Sequence, residues 1–163
     1  MEAIFAALEA LQNSALPTAL RLSDLAYPLV NAAHIVGLAL LFGAIVALDL
    51  RLIGLWPSVP LEPLARILLP IAIAGLTTAI LTGALLFSVH AVKYAGIGVF
   101  QLKLALIAAA LLNVLLLHRS AAWISATGQP GGALPKGLRA AALLSILLWS
   151  AVILCGRLIA YFA

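Results

Sequence analysis

Three basic side chains interrupt otherwise apolar runs: His34 in "AAHIVG", Lys103 in "FQLKLA" and Arg157 in "LCGRLIAYF". A histidine can donate a hydrogen bond or ligate a metal, and lysine and arginine neutralise anions. At a helical rise of about 1.5 Å per residue, His34 lies about 10 Å outward of the centre of its apolar run. Lys103 and Arg157 each lie about 9 Å outward of theirs. Asn31 is one turn above His34, and Tyr161 is one turn above Arg157. This shared level predicts an outer-leaflet pocket built from His34, Lys103, Arg157, Asn31 and Tyr161. Its ligand would be anionic or redox-active: a quinone, a haem or a carboxylate.

A charged side chain near mid-bilayer costs about 2.5–3.5 kcal/mol on insertion scales. No acid lies at this level of the chain. The charge can be relieved by snorkelling to the headgroups, by a bound anion or polar cofactor, or by an acid on a partner subunit. The last option makes the chain a structural or assembly subunit of a membrane complex. Haem ligation by His34 and His90 spans about 6 Å of depth, whereas His118 is about 23 Å from His34. Lys103 and Arg157 would suit haem propionates. Cys155 is the only cysteine, so intrachain disulfides and thiolate metal clusters are excluded. No nucleophile–base set or phosphate loop is present, and no reaction can be named.

A second polar group is expected near the inner face. Asp49 and His118 each fall about 12–14 Å inward of their helix centres, flanked by Arg51 and Arg119. "ALDLRLIG" and "LLLHRS" are therefore expected to meet as an Asp–Arg–His network, in which balanced charges act as an ion-paired lock. Asn113, deeper in the same run as His118, is expected to hydrogen-bond across to another helix.

The elements that must position these residues follow from composition. Of 163 residues, 66% are hydrophobic and 9% charged; soluble domains carry about 25% charged residues. Four long apolar runs predict membrane spans over 24–56, 64–89, 99–118 and 138–162. "WPSVPLEP", "YAGIG" and "SATGQPGGALPKG" break the helices between them. The predicted fold is all-α: an integral membrane, up-down four-helix bundle. Residues 1–17 place Ile4, Phe5, Leu8 and Leu11 at helical spacing, which predicts an amphipathic interfacial helix. No cleavable signal peptide is expected, because the chain opens on Glu2 without a basic region.

Arg51, Arg66, Arg119, Lys136 and Arg139 flank the first and third loops. The positive-inside rule then sets those loops in the cytoplasm and both termini in the periplasm of a bacterial inner membrane. The net charge of +4 is scattered, so no nucleic-acid surface is expected.

"AHIVGLALLFGAIVALDLRLIG", "FQLKLALIAAALLNVLLLHR" and "SILLWSAVILCGRLIAYF" resemble a family of small bacterial four-helix inner-membrane proteins without assigned function. The resemblance runs from about Asp24 to Phe162 and implies a multi-pass inner-membrane bundle. More distantly, a histidine before a small-residue stripe is similar to the copper-resistance-D type of membrane protein. That likeness implies copper or other metal handling with a periplasmic partner. Met1 is the only methionine, so the chain lacks the methionine-rich runs that bind copper.

Overall fold

The computed structural model describes residues 2–128 and 134–162, and of Thr127, Gly128 and Phe162 it describes the backbone only. Part of "SATGQPGGALPKG" therefore lies outside the described residues. The order is α1 (Glu2–Gln12), α2 (Ala15–Leu22), α3 (Ala26–Ile53), α4 (Leu61–Val89), α5 (Ala91–Ala95), α6 (Gly98–Arg119), α7 (Ala121–Gly128) and α8 (Lys136–Phe162). α3, α4, α6 and α8 are long and apolar enough to cross a membrane. The protein is an all-α integral membrane bundle of these four spans.

The helices stop where the local chemistry requires it. α3 ends at Gly54, whose φ of 120° is accessible to glycine at little cost. The Gly54 N–H donates to the carbonyls of Leu50 and Arg51. Arg51 then clasps the proline-rich turn, with Nε donating to the Val59 carbonyl at 2.6 Å and a guanidinium nitrogen to Pro57 at 3.2 Å. The N-terminal segment is two helices rather than one. Asn13 and Ser14 interrupt it, and the Ser14 hydroxyl donates to the Leu11 carbonyl at 2.7 Å. Pro17 is tolerated in the first turn of α2, where no intrahelical N–H donor is required.

Packing is uneven around the bundle. α3 lies against α4 and α8, and α6 lies against α8, whereas among the described residues the backbones of α4 and α6 stay apart and meet through side chains such as Phe87 and Phe100. The α3–α4 crossing is set by glycines. A Cβ on Gly75 would stand 2.5 Å from the Leu41 nitrogen and 2.7 Å from the Gly37 carbonyl oxygen. Such close approach lets two backbones gain dispersion contacts in lipid, where no hydrophobic force drives association. Two cores stack along the axis. One, around Leu41, Ala44, Ala110 and Trp149, fills the middle. The other, around Leu52, Leu61, Trp123 and Leu138, closes the end that holds the α3–α4 loop and α7.

Candidate functional site

Near that loop end, a cavity of about 100 Å³ opens among all four spans. Its walls are mostly aliphatic, but Asp49 from α3, His118 from α6, and Ser145 and Trp149 from α8 also line it. Asp49, Ser145 and Trp149 are buried, at 4%, 2% and 3% exposure. Ser145 and Trp149 are four residues apart, so they share one face of α8.

Ser145 hydrogen-bonds to the Asp49 carboxylate. Among the described residues, the other carboxylate oxygen, Oδ2, has no partner. The Trp149 indole N–H likewise has no partner among them. His118 Nδ1 lies 2.8 Å from the Val114 carbonyl. A carbonyl only accepts, so Nδ1 carries the hydrogen and, in the neutral ring, Nε2 presents a lone pair. That Nε2 is buried and has no partner among the described residues. The ring is steadied by Trp123, whose centroid is 4.5 Å away. Buried polar atoms without partners are uncommon, because each forfeits about 1–3 kcal/mol of solvation. Here three of them belong to residues around a single cavity.

The basic neighbours stand apart from this group. Arg51 is engaged with loop carbonyls and Arg119 is exposed. Among the described residues, the one ion pair joins Arg66 to Glu62 on the surface. Asn113 donates to the Ala141 carbonyl at 3.0 Å, tying α6 to α8 beside the cavity. Ser145 and Trp149 were not singled out by sequence reasoning. Their available signal was the four-residue spacing on the face of α8 that also carries Ala142 and Val152.

At the opposite end, His34 sits in the α3–α4 interface. The single hydrogen of the Thr82 hydroxyl goes to the Thr78 carbonyl at 2.6 Å. His34 Nδ1, 2.9 Å from that hydroxyl, must therefore be the donor to it. Gly83 leaves room for the ring, since a Cβ there would stand 3.0 Å from His34 Cε1. Lys103 is half-buried and lies within electrostatic range of His34 and of Cys155. Its Nζ is 5.7 Å from the Phe100 ring centroid.

The structure thus brings Lys103 toward His34. It places Arg157 on an exposed face of α8, with its guanidinium 5.6 Å from the centroid of Tyr161. Tyr161 is itself 72% exposed, and Asn31 is also exposed. His90 is exposed at the end of α4, edge-on to Tyr94. In α5, burial pushes the Tyr94 phenol above its ordinary pKa, and the charge of Tyr27 and a hydrogen bond with it act in the same direction.

Among the described residues, no three His, Cys, Asp or Glu side chains form a group that could hold a metal ion. The sequence matches no family model and no curated protein, and the fold matches no solved structure.

Proposed function

We propose that this multi-pass membrane protein is a non-catalytic binding subunit that holds a small hydroxyl-bearing molecule in the Asp49–His118–Ser145–Trp149 cavity. The observation that carries the reading is that three buried polar atoms without a partner among the described residues, Asp49 Oδ2, His118 Nε2 and Trp149 Nε1, belong to residues that line one cavity. With Asp49 ionised and His118 neutral, two of them accept hydrogen bonds and one donates. A hydroxyl both donates and accepts, so an alcohol, diol or quinol head complements the set. A carboxylate head would instead meet two acceptors. The basic residues gathered at the loop end support a bacterial inner membrane with that end cytoplasmic and both termini periplasmic.

Native mass spectrometry of the protein released from its own membrane tests this. The expected result is one bound hydroxyl-bearing species, lost in Trp149→Phe, which keeps the ring and removes the N–H, and also in Ser145→Leu, which fills the space. If wild type and both variants carry the same lipids and nothing else, the reading fails.

A second reading has its own support. Lys103, half-buried beside His34, has an aromatic face as its near neighbour and no acid paired with it among the described residues. An anionic ligand, or an acid on a partner protein, would neutralise it there. Lys103→Met tests this second site: loss of a co-purifying partner or anion supports it, and no change in either removes it.

A further inference from the structure

The cavity has a direction. Its polar groups lie on α3, α8 and the loop end of α6, whereas α4 and the middle of α6 contribute aliphatic walls such as Ala72, Ile73, Leu111 and Val114. α4 and α6 are neighbouring spans whose backbones, among the described residues, stay apart. Ile73 and Leu111 line the cavity and yet are 63% and 36% exposed, so the space reaches the outer, lipid-facing surface of the bundle between them. This opening is framed at both ends. Phe87 of α4 stacks on Phe100 of α6 with centroids 5.1 Å apart. At the other end α7 packs against both α4 and α6. The window therefore lies at mid-height, in the apolar zone, between the Phe87–Phe100 stack and α7.

Size sharpens the point. A cavity of about 100 Å³ is smaller than the roughly 300–1,000 Å³ typical of sites that enclose a whole small molecule. It fits a head group, so the remainder of the ligand must lie outside, and the surface outside is lipid. Resting on the ligand-site reading above, we propose that the cavity is loaded sideways from the bilayer. The ligand is an amphiphile whose small hydroxyl-bearing head reaches Asp49 and Trp149 while its apolar body stays between α4 and α6.

The route can be tested without knowing the ligand. In lipid vesicles, the purified protein is treated with a lipid-soluble carbodiimide (dicyclohexylcarbodiimide) or a water-soluble one, and adducts at Asp49 are mapped by mass spectrometry. The expected result is at least tenfold faster labelling by the lipid-soluble reagent. Ile73→Phe with Leu111→Phe, which narrows the window without touching a polar group, should cut that rate at least tenfold. Equal rates for the two reagents, no effect of narrowing, or no labelling by either overturns the proposal.

A second measurement avoids carboxyl chemistry. With Trp56 and Trp123 changed to phenylalanine, Trp149 emission should be quenched several-fold more by lipids brominated on their acyl chains than by aqueous acrylamide. The excess should vanish when the window is narrowed. Quenching by acrylamide alone would mean access from water and would sink the sideways route. That outcome leaves the ligand reading standing, whereas empty native mass spectra with lipid-side labelling would sink the ligand reading and leave the route.

Discussion

Asp49 on α3 and His118 on α6 wall the same cavity although, among the described residues, the backbones of α3 and α6 stay apart. They are held in register by α8, which lies against both and supplies Ser145 and Trp149 between them. A polar site inside a bundle needs such a bridge, because a side chain extends only a few ångströms from its own helix. The Asn113 hydrogen bond to α8 reinforces the same joint.

The Asp49–Ser145 pair should respond asymmetrically to mutation. Ser145→Ala removes the hydroxyl bonded to the carboxylate, whose other oxygen already lacks a partner. A loss of about 1–3 kcal/mol is expected, as for a buried polar group stripped of its partner. Asp49→Leu combined with Ser145→Ala removes both members and should be at least as stable as wild type. Thermal unfolding of the three proteins in one detergent provides the check; a double variant weaker than the single one would contradict it.

Gly75→Leu should separate α3 from α4. Its Cβ would meet backbone atoms of Leu41 and Gly37, which cannot rotate away as a side chain could. Overpacking costs about 1–3 kcal/mol and sometimes more. Gly43→Ala is the control, since a Cβ there meets nothing within 4 Å. The measurement is the unfolding midpoint, which should fall for the first and hold for the second.

The α3–α4 turn depends on arginine rather than on positive charge. Arg51→Lys keeps the charge but cannot reproduce the fork that reaches Val59 and Pro57 together. Limited proteolysis should cut the 54–60 segment several-fold faster in Arg51→Lys than in wild type. Equal cutting rates would show that the turn holds without the clasp.

Alkaline pH should weaken the fold through Tyr94. A phenol whose pKa is raised by folding binds its proton more tightly in the native state. Its contribution is complete below the unfolded value of about 10 and is lost as pH rises through the higher native value. Tyr94→Phe should flatten this part of the stability profile. The test is the unfolding midpoint across the alkaline range, with tyrosinate absorbance followed in parallel; identical slopes for the two proteins would exclude the effect.

Much of the architecture is readable directly from residue order. Runs of about 20 or more apolar residues must span if they are helical, and the prolines and glycines between them must turn. Depth is also readable, because helical rise is fixed: counting residues puts Asp49 and His118 at one level, and His34, Lys103 and Arg157 at another. Rotation about each helix axis is not readable in the same way. When apolar residues surround a span on all sides, no amphipathic stripe marks the inward face.

Only tertiary packing decides that face. The Gly37–Gly75 contact rotates α3 and α4 into their crossing. That leaves His34 against Thr82 and Gly83 of α4. Ser145 and Trp149 carry no charge to draw attention in the sequence, and they become part of a site because α8 turns them toward Asp49. The opening between α4 and α6 has no sequence mark at all, since it consists of a separation between the backbones of two helices that look alike.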